Sequence, residues 1–179
     1  AMAKTLVYLH FSEGKAPADL FPRLNRELCS LTLKKQMMSF GYGTLSCSSH
    51  TGFLQVAGCP YPFLFDKSRG TVRQEGTPCY PLGIKKSLGF SLIPLSLGPG
   101  DLLVFYSDGL VEGPSSTEEL FGYDRDQSII LNHGAAGCEA VAAALEEGVK
   151  IFSGGKPLPD DLSILVIGRL LQEPPAPGP

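Results

Sequence analysis

The sequence has no stripe of lysine and arginine interleaved with aromatic residues; lysine recurs only as the small pairs Lys34-Lys35 and Lys85-Lys86. Phosphate contacts supply most of the affinity for nucleic acid, so no nucleic-acid partner is expected. Nor does any run approach the ~20 apolar residues needed to cross a bilayer. Residues 1–11 lack the basic, apolar and small-residue order of a signal peptide. The expectation is therefore no membrane association and a cytoplasmic location. The five cysteines, Cys29, Cys47, Cys59, Cys79 and Cys138, are odd in number and never form C-x-x-C. That argues against a disulfide framework or structural zinc and fits a reducing compartment, with the thiols small and half-buried. His10, His50 and His133 are isolated, without an H-x-x-x-H pattern, and read as surface or capping residues. No internal repeat is found.

What is present is globular composition. The chain has 179 residues, 43% apolar and 18% charged, with a formal charge of −3. That is enough for one domain with a real core.

Residues 1–11 read as part of a helix with Leu6, Leu9 and His10 near one face, opening without a capping residue. A second helix over about 17–29 repeats Leu20, Leu24 and Leu28 every four residues. Strands follow. Met38, Phe40 and Tyr42 alternate with Ser39, Gly41 and Gly43, and 53–57 return after a turn at 48–52. Residues 63–66 and 71–74 make another hairpin. Residues 90–97 are extended, and Pro94 confines them to an edge or a bulge. Residues 102–106 form an apolar run typical of a buried strand. Helices are predicted near 123–131 and over 137–152, and a last buried strand over 162–167. Met37-Met38 reads as core filling, Tyr106 as core, and the Pro-rich end as a flexible tail. Helices, then antiparallel strands, then helices and a closing strand give an α+β class.

Two acidic spots sit where an apolar strand meets a loop: Asp108-Gly109 after 102–106, and Asp160-Asp161 before 162–166. If those strands are neighbours, the carboxylates emerge at one rim of one sheet, an oxygen-rich edge of the kind Mg²⁺ and Mn²⁺ favour. Gly109 would let the backbone turn sharply so that Asp108 faces the ion. On spacing alone, an Asp-Gly after a strand is more often only a turn.

The run Gly100-Asp101-Leu102-Leu103-Val104-Phe105-Tyr106-Ser107-Asp108-Gly109-Leu110-Val111-Glu112 resembles a signature of the PPM-type phosphatases, in their SpoIIE-like bacterial branch. Other landmarks resemble that family in the same order. They are Leu24-Asn25-Arg26-Glu27-Leu28, 57–64, Pro81-Leu82-Gly83-Ile84, Phe121-Gly122-Tyr123-Asp124-Arg125, and 160–166. They span residues 1–168, which read as a partial PPM-type domain followed by a tail at 169–179.

The resemblance implies an α-β-β-α layered sandwich of mainly antiparallel sheets. It also implies two divalent ions, Mn²⁺ or Mg²⁺, and a bridging water that attacks phosphoserine or phosphothreonine. Carried over by motif, Asp108 and Asp160 are metal ligands, with Asp161 and Gly109 supporting them. The branch implies a partner-switching pathway whose substrate is a phosphorylated anti-anti-sigma-type regulatory protein. Two family features are missing: an early Gly-Asp pair and an Asp-x-Ser-Gly-His-Gly stretch. The expectation is thus a domain incomplete at its N-terminus, with weak ion binding, little activity alone, and an uncovered sheet edge that invites a homodimer. Cys59 stands where the family commonly has His. A cysteine nucleophile there would need a phosphate-cradling loop with a nearby Arg, which Gly58-Cys59-Pro60-Tyr61 does not offer. The alternative to an enzyme is a non-catalytic binding module of the same fold.

Overall fold

The computed structural model describes residues 2–31, 37–115 and 117–171. It divides into two compact units. One is made of the described residues among Ala1–Leu45, Gly52–Cys59 and Gly76–Leu95. The other is made of those among Ser46–Thr51, Pro60–Glu75 and Ser96–Pro179.

The first unit opens with helix α1 (Met2–Ser12), a 3-10 turn at Pro17–Asp19 and helix α2 (Leu20–Leu31). Leu20, Leu24 and Leu28 lie on one face of α2 and are all buried, as the four-residue spacing predicts. They cluster with Phe21, Ala57 and Leu82, and α1 adds Leu6, Val7 and Phe11. The predicted apolar face of α1 is only half right. His10 is buried, not a surface residue, and its Nε2 lies 2.8 Å from the carbonyl of Ala16, while Leu9 is exposed. A histidine that ties down the loop behind its own helix can be drawn inside despite its polarity.

Strands β1 (Phe40–Leu45) and β2 (Thr51–Ala57) form an antiparallel hairpin running from Phe40 opposite Ala57 to Leu45 opposite Gly52. With β5 (Ile93–Ser96) they make a sheet ordered β1-β2-β5. Pro94 therefore sits in an edge strand, where its missing N–H breaks no ladder. Met38 is half-buried against the first unit's core, but Met37 is exposed, contrary to the reading of both as core.

The second unit is built on a four-stranded antiparallel sheet ordered β4-β3-β6-β7, from β3 (Phe63–Asp66), β4 (Thr71–Gln74), β6 (Leu102–Tyr106) and β7 (Ile164–Gly168). Phe63, Phe65, Leu102, Val104 and Tyr106 share one face. They pack with Ile130 of α4 (Tyr123–His133) and Val141, Leu145 and Val149 of α5 (Cys138–Phe152). Gly134 between these helices lies flat on Phe65; a Cβ there would come within 2.7 Å of the ring. The turn into β6 is held by Asp101, whose carboxylate accepts from the backbone N–H groups of Gly98 (2.7 Å) and Lys67 (2.9 Å).

Two expectations change here. The closing strand β7 is not buried throughout: Leu165 and Ile167 are exposed, while Ile164 and Val166 face the core. The cause is position, because β7 lies at the edge of its sheet. Asp108-Gly109 is not a plain turn but the start of one helical turn, α3 (Asp108–Val111). The tail reading at 172–179 lies outside the described residues.

Candidate metal centre

The pairing of β6 with β7 decides whether the two acidic spots meet. Tyr106, at the end of β6, lies opposite Ile164, at the start of β7. Asp108 follows one strand end and Asp160 and Asp161 precede the other, so antiparallel pairing brings all three residues to the same rim. All three are exposed to solvent.

The two loops are also bonded to each other, through a residue that the sequence reading passed over. Ser107 donates its backbone N–H to the carbonyl of Ser163 (2.9 Å) and its hydroxyl to the carbonyl of Asp161 (2.8 Å). The same hydroxyl oxygen accepts from the N–H of Ser163 (2.9 Å). Its backbone is extended, at φ −83° and ψ 164°, in the position of an N-cap to α3. The hydroxyl is turned across the sheet and does not cap the helix. A small hydroxyl residue between an apolar strand and an acidic loop was the available sequence signal.

Gly109 matters for a reason other than the one expected. Nothing in its backbone requires a left-handed conformation. Instead, an ideal Cβ at Gly109 would lie 2.5 Å from the carbonyl oxygen of Asp161 and 3.1 Å from that of Asp160. The glycine thus allows the two acidic loops to approach each other closely.

Each motif carboxylate has one oxygen turned back on its own loop. Asp108 Oδ1 accepts from the N–H of Gly109 (3.1 Å), and Asp160 Oδ1 from that of Asp161 (2.7 Å). Neither is paired with a lysine or arginine among the described residues. The donors are oxygens only, which suits a hard divalent cation. They do not complete a site: among the described residues, no three His, Cys, Asp or Glu side chains converge to hold a metal ion.

Behind the rim lies Tyr106, buried as expected, whose hydroxyl donates to the carbonyl of Tyr61 (2.9 Å). The phenol of Tyr123 is pushed above its ordinary pKa by burial first, and then by the negative fields of Glu112, Asp126 and Asp108. Asp126 went unnoticed in the sequence. It is fully buried on α4, neither carboxylate oxygen has a partner, and burial raises its pKa to about 7. Cys59 is only a half-buried thiol with a weak bond to the carbonyl of Ala57 (3.8 Å).

Three solved structures share the fold at low sequence identity. The RsbU and RsbW domains of Rv1364c from Mycobacterium tuberculosis match with a TM-score of 0.73 at 21% identity, over 97% of this chain and 47% of that one. The SiaA-PP2C domain of Pseudomonas aeruginosa matches at 0.75 and 19%, over 93% and 66%. The phosphatase domain of SpoIIE from Bacillus subtilis, Mn presoaked, matches at 0.68 and 18%, over 96% and 75%. This chain therefore spans about half of the mycobacterial chain. No curated protein sequence matches. The antiparallel sheets and flanking helices are those of the PP2C, or PPM, phosphatase fold. The family model for stage II sporulation protein E (SpoIIE) matches residues 1–170, nearly all of the described chain, and the protein belongs to that family.

Proposed function

We propose that this chain carries part of the catalytic domain of a metal-dependent protein serine/threonine phosphatase. Its substrate would be a phosphorylated regulatory protein of the anti-anti-sigma type, in a cytoplasmic partner-switching pathway. The observation that carries the reading is the β6–β7 pairing, which sets the motif carboxylates Asp108 and Asp160 on one rim and locks their loops through Ser107.

Asp108 and Asp160 would hold Mn²⁺ or Mg²⁺, with Asp161 and Gly109 shaping the loop around them. A bound ion supplies Lewis acidity and a lowered water pKa, which is what phosphate-ester hydrolysis needs. The chain's own part is electrostatic and geometric. Unpaired carboxylates concentrate cations at the rim, and Ser107 keeps the two loops from drifting apart. Two or three carboxylates leave much of a six-oxygen shell to water, so binding by this chain is expected to be weak and turnover slow. A homodimer through the β7 edge is part of the same proposal. It is supported by the edge position of β7 and its exposed Leu165 and Ile167.

Phosphate release from a phosphoserine peptide in Mn²⁺ tests this. The expected result is slow, Mn²⁺-dependent release that Asp108→Asn abolishes. Release that persists in Asp108→Asn would overturn the assignment, and no release at any Mn²⁺ concentration would favour a non-catalytic module of the same fold.

A further inference from the structure

The segment from Cys79 to Lys86 combines an exposed tip with a firmly held backbone, all within the first unit. At its base, the N–H of Gly58 donates to the carbonyl of Cys79 (3.1 Å). Gly58 itself has φ +69°, and a Cβ there would lie 2.6 Å from Cγ of Pro81. Leu82 is fully buried and exchanges two backbone hydrogen bonds with Met38, each 2.9 Å. Asn25 of α2, 2% exposed, gives its whole amide to this loop. Its Nδ2 donates to the carbonyls of Lys85 (2.9 Å) and Lys86 (3.3 Å), and its Oδ1 accepts from the N–H of Gly83 (2.8 Å).

Every one of those restraints acts on backbone, and the tip side chains are left outside. Tyr80 is 54% exposed and Ile84 40%, and both lysines are exposed. Lys85 Nζ stands 3.9 Å over the ring of Tyr80. Several basic side chains elsewhere are paired with carboxylates, as in Arg23–Glu13, Arg73–Glu75 and Arg125–Glu119. Among the described residues Lys85 and Lys86 are not. The adjacent pair is an uncompensated positive spot on a chain of net charge −3.

We infer that the Tyr80–Lys86 loop is a docking surface for an acidic face of the phosphorylated protein substrate. The inference rests on the phosphatase reading and names where that substrate is gripped. A loop already fixed loses little conformational freedom on binding, so more of the contact energy appears as affinity. The paired ammonium groups steer and orient an acidic partner, and Tyr80 and Ile84 supply the aromatic and apolar contact that anchors such interfaces. Because the fixing bonds go to backbone carbonyls and to the N–H groups of Leu82 and Gly83, the lysine side chains can be changed without loosening the loop.

The test uses the full chain and labelled phosphorylated casein, an acidic phosphoprotein, with binding read by fluorescence anisotropy at low and high salt. Mn²⁺-dependent hydrolysis of p-nitrophenyl phosphate is measured in parallel. Lys85→Ala/Lys86→Ala should weaken casein binding roughly tenfold and flatten its salt dependence. The matched pair Lys15→Ala/Lys156→Ala, which removes the same charge elsewhere, should change it less than about twofold. Hydrolysis of the small ester should stay at the wild-type rate in both. Equal losses in the two pairs, or no loss in the first, would overturn the docking surface while leaving the phosphatase reading intact. Loss confined to the first pair, with no ester hydrolysis even in the wild type, would uphold the docking surface and sink the phosphatase reading.

Discussion

Asp126 is the residue whose chemistry is least expected from its neighbourhood. It lies one helical turn before the buried Ile130, so a leucine-like side chain would fit the pattern, yet a carboxyl is fully buried there without a hydrogen-bond partner. Burial alone raises its pKa from 3.8 to about 7 in the folded state. An acid whose folded pKa is raised stabilises least at high pH. Below the unfolded value both states are protonated. Between 3.8 and about 7 the native state keeps a proton that the unfolded state has lost, so stability falls as pH rises, and above about 7 the loss is complete. The full swing is about 4 kcal/mol as an upper figure. Thermal melts from pH 5 to 8 should show Tm falling in the wild type and a markedly flatter profile in Asp126→Leu. Parallel profiles in the two proteins would contradict the buried-acid assignment. Position 126 shares a helix face with Ile130, yet the sequence did not single it out, because that short helix carries no longer apolar repeat to mark the face as buried and the missing partner shows only in the fold. Gly109 is the reverse case. Its presence was noticed, but its reason was not, since the close approach of the 160–161 carbonyls depends on a strand pairing that no local pattern encodes. Gly109→Ala should destabilise by about 1–3 kcal/mol through overpacking, measured by urea denaturation. An unchanged midpoint would mean that the loops are free to separate.

Among the elements, the β6–β7 pair governs both stability and site. Its link through Ser107 predicts that Ser107→Ala destabilises by about 1–3 kcal/mol, because the carbonyl of Asp161 and the N–H of Ser163 lose their partner. The same substitution should weaken Mn²⁺ binding by letting the acidic loops drift. A variant with full ion affinity would show that β-pairing alone positions the rim. The hairpin β3–β4 and strand β6 were readable to the residue, because β3 and β6 are short apolar runs bounded by Gly, Pro or Asp and the turn at residues 67–70 fixes where β4 returns. Strand β7 was not. An apolar run looks the same whether both faces are covered or only one, and Leu165 and Ile167 reveal the difference only once β7 is seen at the edge. The helix α5 was predicted correctly by its repeat of Val141, Leu145 and Val149, all fully buried.

For the molecule as a whole, ordered landmarks carried the fold further than periodicity did. Each short motif alone fits many proteins, whereas their succession from Leu24 to Val166 fits one family, and that family's model matches residues 1–170. Among the described residues no helix is long and apolar enough to cross a membrane. The exposed apolar edge at β7 belongs to this scale as well. Light scattering at micromolar concentration should report a dimer that Leu165→Lys dissociates, and a monomeric wild type would count against that part of the proposal. The central claim, however, is that one rim gathers Asp108 and Asp160 to hold a divalent ion. Calorimetric titration of Mn²⁺ into the wild type, Asp108→Asn and Asp160→Asn tests it most directly. The expected result is weak binding in the wild type that each substitution removes; wild-type affinity retained in both variants would place the ion elsewhere and contradict the assignment.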